Sequence, residues 1–481
     1  MNNSQKVLSN MAWRFAERVG AQGVKLLVEI ILARLLLPDD FGLIAIVTVL
    51  ITILNVFVDS GLGNALIQKK DADDLDFSSV FWFNLFLCII IYFILYNFAP
   101  IIASFYKRIE LAPIIRILGL QVIISGVKNV QQAYVSRTLQ FKKFFFSTLG
   151  GTLGAACVGI FLAYKGFGVW ALVAQQLFNV AVDTTILWVT VKWRPKCKFS
   201  LERLKALFSF GWKLLASALI DTIYAEIRQL IIGKIYTSDS LAYYNRGDQF
   251  PKIFVGNVNN AIDSVLLPTL SQEQDDKDRL KAMTKRAIKT SVYIMAPLMM
   301  GLAFIGEPFV RLLLTEKWLP CVPFMRIFCV TYMFYPIHTA NLNAIKAMGR
   351  SDLFLKLEII KKIIGLIALL LTMNISVMAM AYSLLVTSIM NQIINSWPNK
   401  KLLNYPINEQ WRDILPAIIL AVCMGVCIRF FDAFGLSDIV TLSLQVIVGA
   451  SFYIVGSKIL RFDSYDYLLN ICKGFLKKNY S

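Results

Sequence analysis

Apolar runs long enough to cross a bilayer recur from one end of the chain to the other, separated by short polar stretches. With about 20 residues needed per helical span, they predict about fourteen transmembrane helices and no β-structure. The spans fall near 10–36, 41–66, 77–105, 111–135, 144–164, 167–191, 207–235, 246–270, 284–306, 321–345, 353–372, 375–397, 411–431 and 437–460. The first of them, Met11–Leu36, breaks the rule that a lipid-facing helix carries no charge. Arg14, Glu17, Arg18, Lys25 and Glu29 occupy one side of it. At 100° per residue Arg14, Arg18, Lys25 and Glu29 fall within roughly 60° of one another. Each such group costs about 2.5–3.5 kcal/mol at a bilayer centre, so the stripe must face a wet cavity or protein.

Other spans repeat the anomaly. Lys213, Ser217, Asp221, Tyr224 and Arg228 share one face of span seven, within roughly 80°. Span eight groups Asp248, Lys252, Asn259 and Asp263, and span four groups Gln121, Ser125, Lys128 and Gln132. Two readings stay open: internal ion pairs, such as Lys25 with Glu29 or Arg228 with Asp221, or the walls of a hydrated cavity. The recurrence of the stripes on several helices favours the cavity. Its basic groups Lys25, Arg14, Arg18, Arg228, Lys213 and Lys128 suit phosphate, because a cation in a low-dielectric cleft attracts an anion strongly. The acidic groups Glu29, Asp221, Asp263 and Asp59 would balance charge in the empty cavity or carry a coupling ion, Na+ or H+. No other cofactor is expected.

The chain also repeats itself. Ile30-Ile31-Leu32-Ala33-Arg34-Leu35 followed by Pro38-Asp39-Asp40-Phe41-Gly42 is answered two hundred residues later by Leu230-Ile231-Ile232-Gly233-Lys234-Ile235 and Ser238-Asp239-Ser240-Leu241-Ala242. In nearly the same register, Val58-Asp59-Ser60-Gly61-Leu62 is answered by Ile262-Asp263-Ser264-Val265-Leu266, and Gln68 by Gln272. Six spans per repeat is an even number, so the two copies share one orientation: a parallel repeat with a site expected between them near the midplane. The expected organisation is an N-terminal lobe 1–200, a C-terminal lobe 201–400, and two additional helices with a tail in 401–481.

Composition agrees and narrows the function. The 481 residues are 57% hydrophobic and 17% charged, as in a polytopic membrane protein. The net charge of +18 is concentrated in alternate loops, above all Lys192–Lys205 and Lys277–Lys289. By the positive-inside rule this places both termini in the cytoplasm. Met1–Asn10 is polar and runs directly into the first helix, without the form of a cleaved signal. No basic run interleaves with stacking aromatics, so no nucleic acid is expected as a partner. The eight cysteines show no ligand or disulfide spacing, and Cys321 alone is placed near the outer face. The single histidine, His338, suits a hydrogen-bonded packing role better than a proton-sensitive one, and no metal site is expected. The loops are short, the longest outside one being Glu307–Pro320, so no catalytic domain and no enzyme are expected.

The segments Leu32-Ala33-Arg34-Leu35-Leu36-Leu37-Pro38-Asp39-Asp40-Phe41-Gly42, Asp59–Gln68, Gly166-Phe167-Gly168-Val169-Trp170-Ala171-Leu172 and Gly349-Arg350-Ser351 together resemble bacterial polysaccharide transporters of the Wzx flippase type. The similarity is to the branch of colanic acid and teichuronic acid exporters, and it runs over nearly the whole chain. It implies the multidrug/oligosaccharidyl-lipid/polysaccharide exporter fold, with two six-helix lobes plus two extra helices, in the bacterial cytoplasmic membrane. It implies alternating access for an undecaprenyl-diphosphate-linked oligosaccharide destined for O-antigen, capsule or exopolysaccharide, with a polysaccharide polymerase as a candidate partner. The diphosphate would then dock at the basic groups of spans one and seven, and Gln132, Asn259, Gln392 and Asn395 would hydrogen-bond glycan hydroxyls. The Leu-Ala-Arg and Asp-Ser-Gly motifs read as helix-end and packing elements, so Arg34 is not assigned to cargo. A cation-coupled drug or metabolite antiporter of the same superfamily is the main rival; a membrane glycosyltransferase or polymerase is a weaker one, for want of a large outer loop.

Overall fold

The structure, a computed structural model, describes residues 3–479 except Ser60, and excludes the side chains of residues 3–12, Phe15, Phe210, Cys472 and 475–479. Ser60 of the second repeated motif and the Cys472 thiol therefore lie outside the described residues. The described chain is helical, with no strand. It forms two compact units, Met1–Ala242 and Tyr243–Ser481. The first contains α1 (Asn3–Leu35), α2 (Pro38–Asp59), α3 (Leu62–Gln68), α4 (Asp74–Phe105), α5 (Leu111–Leu118), α6 (Leu120–Arg137), α7 (Lys142–Tyr164), α8 (Val169–Thr190) and α9 (Leu201–Ile235). Helix α10 (Ser238–Gln272) starts in the first unit and continues into the second. Then follow α11 (Lys277–Phe304), α12 (Gly306–Leu314), α13 (Val322–Met333), α14 (Tyr335–Ala347), α15 (Ser351–Thr372), α16 (Val377–Leu402), α17 (Ile407–Arg429), α18 (Asp438–Ile459) and α19 (Asp463–Asn479).

Among the described residues ten helices or broken helices are long and apolar enough to cross a membrane, and α9, bent by 51° between Ser209 and Gly211, makes an eleventh. The long helices of the expected fourteen that fail this test are α1, α10 and α15. All three exist, but α1 and α15 carry too many charges to pass as apolar, Lys356, Glu358, Lys361 and Lys362 in the case of α15, and in α10 the uncharged Asn257, Asn259 and Asn260 beside Asp263 lower the hydropathy. Length and composition therefore support a multi-pass all-α membrane protein without fixing the number of crossings at fourteen. The segment Glu307–Pro320, expected as an outer loop, is the helix α12 followed by a short 3-10 turn over Glu316–Cys321. Val310, Leu314 and Trp318 are fully buried, and this apolar side is what folds the segment down.

The duplication is visible in the helix breaks. Helix α1 ends at Leu35 and α2 begins at Pro38; α9 ends at Ile235 and α10 begins at Ser238. Span four is interrupted at Gly119 between α5 and α6, and span ten at Phe334 between α13 and α14. Neither interruption was legible as a pattern of apolar residues, because hydrophobicity runs straight through both.

Polar side chains hold the helix ends. Asp73 caps α4, accepting from the Leu75 and Asp76 amides at 3.1 and 3.0 Å, while Asp76 accepts from the Asp73 amide at 3.2 Å. The buried Asp76 carboxylate is neutralised by Lys69 at 2.7 Å and Arg203 at 3.3 Å. The same end of α4 pins the basic connection after α8: Ser78 and Ser79 accept from the Lys196 and Ser200 amides at 3.0 and 2.9 Å, and Trp82 donates to the Lys196 carbonyl at 2.9 Å. In the second unit, Asn341 of α14, Ser396 and Asn399 of α16 and Gln410 of α17 form a fully buried network with bonds of 2.7–3.1 Å. Such a network locks three helices where lipid-like surroundings offer no hydrophobic drive to associate.

One glycine sets a helix crossing in the first unit. Gly61, at φ +67°, turns α2 into α3, and its missing Cβ is where the Gly211 carbonyl of α9 lies. Gly166 shares the left-handed conformation, φ +79°, but faces open space. Gly166→Ala should therefore show only the backbone strain of about 1–2 kcal/mol. Gly61→Ala should lose at least about 1–3 kcal/mol more, from overpacking against the α9 backbone. Thermal unfolding of the detergent-solubilised protein measures the difference; equal losses would contradict the role given to the Gly61–Gly211 contact.

Candidate functional site

Two residues of the charged stripe of α1, Arg14 and Glu17, line a cavity of about 330 Å3 inside the first unit. Its walls are α1, α3, α6 and α7, together with Asp59 at the end of α2. Arg14 Nη1 donates to Glu17 Oε2 at 2.8 Å, and Thr148 Oγ1 donates to Glu17 Oε1 at 3.2 Å. The guanidinium lies 4.8 Å from the Phe141 ring and 4.5 Å from the Phe144 ring. Two ring faces and one carboxylate thus fix the orientation of Arg14 while leaving other N–H donors of its planar fork available. Across the cavity Asn129 Nδ2 donates to Asp59 Oδ1 at 2.7 Å, with Asn64, Gln132 and Ser136 alongside. A lone oriented guanidinium facing carboxylate, amide and hydroxyl groups suits a ligand that is anionic at one end and rich in hydroxyls at the other.

The Asp59–Asn129 pair has an equivalent in the second unit. Asp263 of α10, which the repeated motif aligns with Asp59, accepts from Asn343 Nδ2 of α14 at 2.7 Å. Each repeat therefore joins its second span to its fourth through the same aspartate–asparagine bond. The sequence pattern identified both aspartates but neither asparagine. The available signal was the position of Asn129 beside Lys128 on the polar face of span four.

The remaining candidates fall into three environments. Arg18 and Lys213 are exposed, and Lys25, its side chain 72% exposed, stands 3.8 Å from Glu29. Lys128 is taken up by Asp183 of α8 at 3.0 Å, both side chains mostly buried. Asp221 is exposed on α9, whereas Arg228 on the same helix is buried. Asn259 is half-buried on α10. Gln392 and Asn395 of α16 are wholly buried, and their amide groups have no hydrogen-bond partner among the described residues. The structure thus brings Arg14, Asp59 and Gln132 to one cavity and leaves the other predicted residues outside it.

The other end of α2 carries a second charged cluster. Arg108, between α4 and α5, clamps Asp39 with bonds of 3.0 and 2.5 Å and donates to Ser238 Oγ at 3.0 Å. Lys234 of α9 hydrogen-bonds the Phe105 carbonyl and stands 3.9 Å from the Phe105 ring centroid. The bond to Asp39 raises the Arg108 pKa above its ordinary value, so this charge is permanent. Asp39 and Ser238 lie in the first turns of α2 and α10, which begin at the aligned positions Pro38 and Ser238, so this cluster is a junction of corresponding elements.

Comparison with known proteins identifies the family and the fold. The chain is 25% identical over 390 residues to the teichuronic acid biosynthesis protein TuaB of Bacillus subtilis (strain 168), covering 79% of each. It is 23% identical over 444 residues to the lipopolysaccharide biosynthesis protein WzxC of Escherichia coli (strain K12), covering 89% of each. Its fold is similar to that of the lipid II flippase MurJ in an inward closed conformation, with a TM-score of 0.76 at 14% identity over 96% of this chain and 100% of that one. An inward-facing multidrug resistance MATE family transporter of the MOP superfamily gives a TM-score of 0.62 at 14% identity, over 79% of this chain and 94% of that one. The sequence model described as Polysaccharide biosynthesis protein matches residues 31–323, more than half of the chain, which belongs to that family.

Proposed function

We propose that the protein is a flippase that carries a polyprenyl-diphosphate-linked oligosaccharide across the bacterial cytoplasmic membrane for surface polysaccharide assembly. The observation that carries this reading is the cavity where Arg14, oriented by Glu17, Phe141 and Phe144, faces the Asp59, Asn129 and Gln132 wall. The names of the relatives and the transporter fold support it. The diphosphate would engage Arg14, with Arg18 and Lys25 as approaching charges on the same helix and Arg228 and Lys213 on α9. Sugar hydroxyls would bond to the amide and carboxylate wall, and the prenyl chain would stay in lipid. The other proposed glycan ligands lie in the second unit, Asn259 half-buried on α10 and Gln392 and Asn395 wholly buried on α16.

The cycle is alternating access, and the distribution of Lys and Arg supports a cytoplasmic placement of both termini. In that orientation the Arg108–Asp39–Ser238 cluster closes the outer end and breaks when the path opens outward. Na+ or H+ coupling would act at Asp59 and Asp263, the carboxylates that the duplication makes equivalent, with Glu29 and Asp221 contributing charge balance. Undecaprenyl diphosphate is the proposed carrier, and a polymerase on the outer face the proposed recipient.

Deletion of the gene is expected to accumulate lipid-linked oligosaccharide on the cytoplasmic side. Cation-dependent drug efflux with unchanged lipid-linked pools would replace this reading by the antiporter one. In the complemented strain Arg14→Ala should lower export about ten- to hundredfold, the worth of one or two charge-assisted hydrogen bonds. Arg14→Lys, which keeps the ion pair with Glu17, should insert normally and export at an intermediate rate. Normal export by both variants, at normal membrane levels, would remove Arg14 from the path. Asp39→Asn should change stability by about 1 kcal/mol or less, its ion pair being partly exposed, yet alter the export rate several-fold. Thermal unfolding together with an export assay separates the two, and unaltered export would make the cluster architectural only.

A further inference from the structure

A larger cavity, of about 850 Å3, lies wholly in the second unit, among α11, α17, the end of α18 and the start of α19. It shares no residue with the Arg14 cavity. One end is ionic. Lys285 stands 2.9 Å from Glu409 and 3.3 Å from Asp413, and Lys289 stands 2.8 Å from Asp463. That ion pair holds the Asp463 carboxyl below its ordinary range, so Lys289 is committed to it at neutral pH. Two arginines on the same rim are not committed. Arg412 and Arg461 are exposed, and their guanidinium groups make no hydrogen bond or ion pair among the described residues. Arg461 sits at φ +54°, where the chain turns from α18 into α19; that backbone conformation is costly for a non-glycine residue. The turn is anchored by Phe462 against Tyr293, 6.1 Å between ring centroids, and by Arg286 at 5.1 Å from the Tyr467 ring.

The other end is apolar. Pro416, Ile419, Leu420 and Cys423 of α17 line it, and Ile419 is 52% exposed. An open apolar wall on a membrane-spanning helix meets hydrocarbon, and the ionic rim lies at the basic stretch Lys277–Lys289, which the positive-inside rule assigns to the cytoplasmic surface. A soluble anion would use the rim and waste the wall; a neutral lipid would use the wall and leave two arginines unanswered. We propose that this cavity binds an anionic glycerophospholipid of the cytoplasmic leaflet, its phosphodiester held by Arg412 and Arg461 and an acyl chain laid along α17. Delocalised guanidinium groups suit a phosphodiester, each offering paired donors. The lining sets four basic groups, Lys285, Lys289, Arg412 and Arg461, against three carboxylates, and Lys281 adds a contact to Glu409 at 3.1 Å, so the rim keeps a positive field for a net negative headgroup. The bound lipid would brace α17 and α19 against α11.

The test uses the full chain, purified and delipidated in detergent, with binding read by native mass spectrometry and thermal unfolding. Phosphatidylglycerol should bind about tenfold or more tightly than phosphatidylcholine, and Arg412→Gln/Arg461→Gln should abolish that preference while melting like the wild type before lipid is added. Excess inorganic phosphate should fail to displace phosphatidylglycerol. Equal binding of the two lipids to the wild type would overturn the proposal without any variant. Retention of the preference by the double variant would overturn the site, and displacement by inorganic phosphate alone would overturn the lipid. Stronger competition by a polyprenyl phosphate than by phosphatidylglycerol would reassign the cavity to the transported lipid.

Discussion

An ionised group in hydrocarbon has no water to solvate it, so every charge on a spanning helix must find a partner, a cavity or an interface. The chain satisfies that demand in different ways. Lys128 and Asp183 neutralise each other between α6 and α8. Asp76, wholly buried, is held by Lys69 and Arg203 where α4 begins. Arg14 is held by Glu17 and two phenylalanine rings at the edge of a cavity. Of these three, the last lines a cavity beside amide and hydroxyl groups, and that is why it is the candidate for cargo.

Duplication gives the same solution twice. The aspartate near the end of span two in each repeat meets an asparagine from span four across 2.7 Å. The first turns of α2 and α10, which the repeat aligns at Pro38 and Ser238, are clasped by one arginine through Asp39 and Ser238. Repeats that share both their breaks and their polar contacts provide two similar arrangements of one sequence pattern, which a transporter can use in alternation.

The helical class, the charged face of α1 and the repeat were all legible in the sequence, because apolar periodicity and motif spacing record them directly. The family resemblance carried by Leu32–Gly42 and Asp59–Gln68 agreed with the comparisons. The interruptions at Gly119 and Phe334 were not legible, since a local break in the backbone does not disturb an apolar run. The site was legible only in part. The pattern nominated Arg14, Asp59 and Gln132 but missed Asn129, on the same helix as Gln132, and Thr148 and Phe144 of α7, whose apolar run carries no charged stripe. It also placed Lys25 among the basic groups of the cavity, whereas Lys25 is exposed and 3.8 Å from Glu29. A helical wheel locates a charge on a face but does not say which neighbour fills the space opposite.

The account depends on the Arg14 cavity being part of the path of a lipid-linked oligosaccharide. The most direct measurement is translocation in proteoliposomes loaded with a polyprenyl-diphosphate-linked oligosaccharide, the glycan exposed on each leaflet being read with an impermeant lectin or glycosidase. The account predicts that the wild type equilibrates the glycan between leaflets and that Arg14→Ala, inserted to the same level, does so far more slowly. Equal translocation by the two proteins, or none above protein-free vesicles, would contradict it.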